Sequence, residues 1–242
     1  MIPPNRLVEL HNGIASIRKQ VGYGPQDELK FQTAARPKHV SIDQCTKAKN
    51  DVVDLCVRLE CRFIAYVVLH KIARNTPVTD LVKWGASHVI GKFNFFLSTQ
   101  DASGVVVVDR LPAASEYAML TERFTRGLTF PDDKPVVLDR IVLFASSCSN
   151  ASHASAAMDI VLGSFRYCIN QPKNMAAARS MMTNLSKLIW CERDGENLHA
   201  FERGLIFRPK DVNVLAYKKE YDDLLAWINE LLADPAPNSA AV

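Results

Sequence analysis

The chain is short of the signatures that assign most sequences at sight. It carries no GxGxxG, no GxxxxGK[ST] and no GxSxG, which removes the dinucleotide-binding turn, the phosphate loop and the nucleophile elbow. Its six cysteines (Cys45, Cys56, Cys61, Cys148, Cys168, Cys191) form no CxxC pair and no zinc-like spacing with histidine. Several sit among apolar residues, so they read as reduced, packed thiols of a cytoplasmic protein. The longest apolar runs, such as Phe63 to Leu69, fall far short of a membrane span, and no charged-then-apolar leader opens the chain. Charge of one sign is also scarce. A net +3 permits contact with nucleic acid but lacks the strong basic footprint that would argue for it. No internal repeat is visible. What remains is 242 residues at 48% hydrophobic content, enough for one large α/β domain or two small ones; the reading taken is one domain, residues 1–233, ahead of a disordered tail at 234–242 that lacks the apolar mass to fold.

One stretch organises the reading. Gly104-Val105-Val106-Val107-Val108-Asp109 places four β-branched residues in a row, as expected of a strand buried on both faces. An aspartate closes it. Ligands of open α/β sheets sit beyond the carboxyl ends of parallel strands, which makes Asp109 the leading candidate for chemistry. An Asp after a strand equally often caps the next turn, and pattern alone leaves the two readings even.

Around it the chain alternates helix and strand. Pro3-Pro4-Asn5 opens a helix with Leu7, Leu10, Ile14, Ile17 and Val21 at helical spacing, stopped by Gly22 and Gly24. Asp27 to Phe31 alternates charged and apolar residues, as in a short edge strand with Glu28 and Lys30 on one face. An exposed ion pair of little consequence is the plainer account of those two. Ser41 and Gln44 form a capping box for a helix buried through Ala48, Val52, Leu55 and Leu59. Arg62 to Leu69 reads as a strand ending at His70-Lys71, and Thr79 to Leu97 as a helix on which Trp84 and His88 are ordinary face residues. A helix at 115–127, the strand Ile141–Ala145, helices at about 151–170, 174–191 and 217–232, and a short strand Leu205–Arg208 complete the pattern. The paired Asp132 and Asp133 read as turn residues.

The helix ending near Asn170 carries a second candidate. Met158, Val161, Leu162, Phe165 and Ile169 form its apolar stripe, with Ser152, Ser155, Asp159 and Arg166 beside it. A solvated face is the usual meaning of such a stripe. Asp159, however, abuts the apolar side in a charge-poor segment, where a buried carboxylate requires a partner or a metal.

Taken in order, Glu28-Leu29-Lys30-Phe31, the strand ending in Asp109, and the segment Ser149 to Gly163 containing Asp159 resemble the domain-of-unknown-function family 3800. The resemblance spans about residues 3 to 230 and implies a ribonuclease H-like mixed sheet flanked by helices. It implies a carboxylate site of Glu28, Asp109 and Asp159 binding Mg²⁺ or Mn²⁺, with Lys30 and Lys71 as phosphate contacts and Ser149 and Ser152 as helix-entry caps. Such a site would belong to a metal-dependent phosphodiester hydrolase, nuclease-like, or to a truncated remnant of one. A non-catalytic scaffold binding protein or nucleic acid is the competing expectation. The departures bear on both. The family's opening Y-I-D-E-S-G strand and the two strands after it have no counterpart here, so the fold is expected to be N-terminally incomplete. Cys148, Ala154 and Ala156 stand where the family's helix motif has Asp, Gly and Gln. An unpaired sheet edge would then favour poor solubility or homo-oligomers. If the three carboxylates converge, they should lie within roughly 8 Å of one another, close enough to share metal ions.

Overall fold

A computed structural model describes residues 1–109, 113–128, 135–148, 151–170, 174–194 and 197–233. Along the chain run α1 (Leu7–Gln20), α2 (Ile42–Arg58), β1 (Ala65–Val68), α3 (His70–Ala73), α4 (Val78–Thr99), β2 (Gly104–Asp109), α5 (Ala113–Arg126) and β3 (Ile141–Ser147). There follow α6 (His153–Asn170), α7 (Met175–Leu188), β4 (Glu192–Asp194), β5 (Asn197–His199), β6 (Leu205–Arg208) and α8 (Leu215–Leu232). The protein is α/β, as the alternation predicts, and no helix among the described residues is long and apolar enough to cross a membrane. The expected tail at 234–242, the Asp132-Asp133 turn and Ser149 lie outside the described residues.

The chain forms two compact units, each assembled from separate stretches. The first takes Met1–Phe63, Ser152–His199 and the chain from Asp211 on; the second takes Ile64–Ala151 and Ala200–Lys210.

The first unit is a helical bundle. Helix α1 buries Leu10, Ile14 and Ile17, the positions its 3.6-residue period marks, while Leu7 stays half exposed. Helix α2 begins with the expected capping box: Gln44 N–H donates to Ser41 Oγ (3.1 Å), and Ser41 N–H donates to the Gln44 side chain (2.8 Å). Between α1 and α2 the approach is close, since a methyl at Gly13 would stand 2.6 Å from a Leu55 methyl. Helix α7 closes the core with Met182 and Leu185, both fully buried, and α8 adds Tyr221, Ile228 and Leu231. Two polar ties fix the packing: Asn184 donates to Asp54 (2.7 Å), and Trp227 Nε1–H to the Cys168 carbonyl (3.0 Å). Short β4 and β5 pair antiparallel.

Helix α6 departs from its expected orientation. Its buried face is Ala157, Ile160, Val161, Ser164, Phe165 and Cys168, while Met158 and Leu162 are half exposed. The face of small residues wins because α1, α2 and α7 all pack on α6, and Ala157, Ser164 and Cys168 let helices approach where Met and Leu do not.

The second unit holds two parallel ribbons, β1 with β6 and β2 with β3. Among the described residues the strands pair two by two. Helix α4 underlies the second ribbon, where Ile90, Leu97, Leu128, Leu138 and Ile141 form a core joined by Phe93, Val106 and Phe144. The expectation that the valine strand is buried on both sides is corrected here. Only alternate valines face that core; Val105 and Val107 are about half exposed, and Leu143, the register partner of Val105, is exposed with them. Four valines in a row satisfy a one-faced strand as well as a two-faced one, because alternation of side chains is geometric and not a property of the sequence. Arg123 of α5 is buried against α4, where its guanidinium donates to the Lys83 carbonyl (3.2 Å) and Ser87 Oγ (2.9 Å).

Candidate functional site

The segment after α1 turns sharply and then runs extended. Arg18 reaches back from α1 and donates to the carbonyls of Gly24 (2.9 Å) and Asp27 (2.6 Å), while Gly24 N–H donates to Asp27 Oδ2 (2.6 Å). Beyond this knot Leu29 is buried and Phe31 half-buried, so Glu28 and Lys30 fall on the opposite side of an extended chain. They form an ion pair with each other, with about a third of each side chain exposed. The predicted edge strand does not form: the alternation is real, but residues 25–31 pair with no strand among the described residues, and the extended backbone is held by side chains instead.

Phe31 is where this segment meets α6. Its N–H donates to Asp159 Oδ2 (2.8 Å), and its ring lies against Gly163 one turn further along the helix. A methyl at residue 163 would stand 2.5 Å from Phe31 Cβ and 2.6 Å from Cδ1, so the helix must be bare there for the segment to seat. Tyr167 packs at a ring separation of 6.4 Å, and the Lys49 ammonium sits 5.1 Å from the Phe31 ring centre while donating to Thr33 Oγ1 (2.7 Å). Asp159 is therefore exposed rather than buried, and its second role is explained: it receives a backbone donor that has no ladder partner. Ser152 Oγ accepts the Ala154 N–H (3.0 Å), the capping role expected of it.

In the first unit the structure joins the Glu28–Phe31 segment to Asp159 through the Phe31 amide, while Glu28 and Lys30 pair with each other. Asp109 lies at the exposed end of β2, beside Ser147 of β3, in the second unit. Lys71, in α3, is also exposed and also belongs to the second unit. The two strands at Asp109 are parallel, so its position at a carboxyl edge is as read from the sequence. Among the described residues no group of three or more His, Cys, Asp or Glu is placed to hold a metal ion. Glu28 and Asp159 can serve Mg²⁺ only in the manner that ion tolerates, with one or two carboxylates and the remaining positions left to water and phosphate.

A second cluster carried no motif. In the second unit Glu202, in a turn with φ of +58°, is held by Arg208 through two bonds (Nη1 to Oε1 2.6 Å, Nη2 to Oε2 3.1 Å). Lys92 and Lys210 each stand 3.9 Å from Oε2, and Lys92 donates to the Glu202 carbonyl. Burial acts to raise the Glu202 pKa, but the Arg208 hydrogen bonds and the surrounding cations prevail and hold its carboxyl below the usual range. Arg208 Nε–H also donates to His88 Nε2 (3.2 Å), so this nitrogen accepts and Nδ1 carries the proton donated to the Trp84 carbonyl (2.8 Å). The His88 pKa is lowered by burial first, against the opposing Trp84 hydrogen bond, with the Arg208 charge adding to the lowering. Arg203 lies 5.3 Å over the Phe95 ring. The only sequence signal was Trp84, His88 and Lys92 at four-residue spacing on α4; the partners arrive more than a hundred residues later.

No known protein family, curated protein or solved structure matches the chain.

Proposed function

We propose that the chain is a ribonuclease H-like protein of the kind it resembles, acting as a metal-dependent phosphodiester hydrolase. The observation that supports this is the seating of Glu28-Leu29-Lys30-Phe31 on Asp159, two segments 128 residues apart whose juxtaposition the resemblance requires. In this reading Glu28 and Asp159 hold Mg²⁺ or Mn²⁺, Asp109 is a further candidate ligand, and Lys30 neutralises phosphate. The metal, when bound, would supply an activated water and charge stabilisation at the phosphodiester. The chain's own contribution is placement: Gly163 and the Phe31 amide fix Asp159, and Leu29 burial turns Glu28 and Lys30 outward.

A second reading, a non-catalytic binding module, has a specific observation in its favour. Glu28 is engaged by Lys30, and one oxygen of Asp159 by a backbone amide, so both carboxylates already serve the fold. Titration of Mg²⁺ or Mn²⁺ by calorimetry separates the two. The hydrolase reading expects binding that Asp159→Asn weakens at least tenfold; a folded chain that takes up no metal leaves the binding module.

A further inference from the structure

Among the described residues three cations, Lys92, Arg208 and Lys210, converge on the single carboxylate of Glu202, with Arg203 close by. The arrangement is under electrostatic stress. The Lys92 pKa is lowered, by burial first; Glu202 opposes this, and Arg203, Arg208 and Lys210 reinforce it. One carboxylate, already chelated by Arg208, does not neutralise Lys92 and Lys210 as well, so an incoming anion gains from this basic patch.

The shape of the patch narrows the anion. Trp84, His88, Lys92 and Phe95 recur at i, i+4, i+8 and i+11 along α4, hence on one face. Eleven residues at about 1.5 Å rise make a stripe roughly 16 Å long, several phosphates of a nucleic-acid strand and far more than one. Trp84 and Phe95 are 46% and 42% exposed, aromatic surface at either end of the charged middle. Tyr66 of β1 backs the stripe, its ring 5.2 Å from that of His88. Arg208 ends β6 at the carboxyl edge of the parallel β1–β6 pair, where such sheets receive ligands. A basic middle flanked by exposed rings suits a strand whose bases are free to stack, and a duplex offers no base faces.

We propose that this stripe is a binding site for single-stranded nucleic acid, with Lys92, Arg203 and Lys210 on the phosphates and Trp84 stacking a base. Arg208 is the positioning residue, holding Glu202 and His88. Neither Glu28 nor Asp159 takes part, so the site stands whether or not the chain is a hydrolase.

The test is fluorescence anisotropy of a labelled 20-nucleotide thymidine oligomer against the full chain, in EDTA, across a salt series. EDTA removes the carboxylate–metal question, which the calorimetry above answers alone. Binding is expected to weaken with salt at a log–log slope of about −2, roughly 0.7 per phosphate for three contacts. Lys210→Glu, at a side chain nearly two-thirds exposed and harmless to folding, should reduce the slope by about 0.7 or more and weaken binding several-fold at low salt. Trp84→Leu should weaken it at least fivefold with the slope unchanged, the signature of lost stacking. The proposal is overturned if the folded chain fails to bind the oligomer, or if Lys210→Glu leaves affinity and slope intact. It is likewise overturned if polyglutamate displaces the oligomer at equal charge concentration while Trp84→Leu has no effect, which would make the stripe a dock for acidic polypeptide.

Discussion

Gly163→Ala is the sharpest probe of how the candidate corner is built, because two rules give opposite signs for it. In a helix interior the change should stabilise by about 1 kcal/mol, since glycine carries the larger entropic penalty. At this position the added methyl would meet Phe31 Cβ at 2.5 Å and Cδ1 at 2.6 Å. Rotating the ring cannot relieve the first contact, because Cβ moves only with the backbone. The segment must therefore lift from α6, at an overpacking cost of about 1–3 kcal/mol. Lifting also stretches the Phe31 N–H bond to Asp159, a charge-assisted bond at an exposed carboxylate, for about 1 kcal/mol more. Cost exceeds gain, and a net loss of about 1–3 kcal/mol is expected in urea unfolding followed by circular dichroism. The double-mutant cycle supplies the control. In a Phe31→Gly background, which removes Cβ as well as the ring, the clash is gone, and Gly163→Ala should then stabilise by about 1 kcal/mol, a coupling of at least about 2 kcal/mol between residues 31 and 163. A Gly163→Ala chain more stable than the parent would show that Phe31 does not sit on α6, and the site built on it would go as well.

Three shorter predictions address the groups nearby. Asp159→Asn keeps an oxygen acceptor and should cost under about 0.5 kcal/mol, whereas Asp159→Ala should cost about 1 kcal/mol and speed hydrogen exchange at the Phe31 amide; equal exchange in the two variants would refute the bond. His88, its pKa lowered by burial, should titrate below the ordinary 6.5. The unfolded chain then takes up the proton first, so the stability His88 confers is complete above about pH 6.5 and falls as pH drops through the folded value. An NMR titration of the His88 ring with a midpoint above 6.5 would contradict the neutral, Arg208-accepting imidazole. Cys61 lies at the end of α2 opposite Cys56, whose carbonyl accepts the Cys61 N–H (3.0 Å). A hydrogen bond from the Cys56 thiol holds the Cys61 thiol at about 7 despite its burial, so its alkylation rate should rise through pH 7, and Cys56→Ala should move that midpoint toward the ordinary cysteine value.

Local signals proved legible where one element carries the whole message. The Ser41–Gln44 capping box and the buried period of α1 are written in consecutive residues, and both stand as read. Signals that depend on what packs opposite were not. Val105 and Val107 are apolar yet half exposed because α4 covers one face of β2, and α6 buries its small residues because three helices crowd that side. Glu28 and Lys30 were correctly placed on one side of an extended chain, but nothing local says that Arg18 and Asp159 would supply the anchoring a neighbouring strand usually provides. The cluster at Glu202 was invisible for the same reason, with Lys92 and Arg208 separated by more than a hundred residues.

The division of the chain decides how the carboxylate hypothesis must be tested. Glu28 and Asp159 belong to the first unit and Asp109 to the second, and the chain passes between the units near residues 63, 151, 199 and 210. A metal bound by all three acids would depend on each of them, and a ligand bound only by the folded state shifts folding by its binding free energy. Asp109→Asn and Asp159→Asn should then abolish the same calorimetric event, and Mg²⁺ should raise the unfolding midpoint of the parent but of neither variant. If Asp159→Asn alone removes the binding, the site is confined to the corner between α6 and the Glu28 segment. Asp109 would then cap the end of β2, the role an aspartate after a strand most simply has.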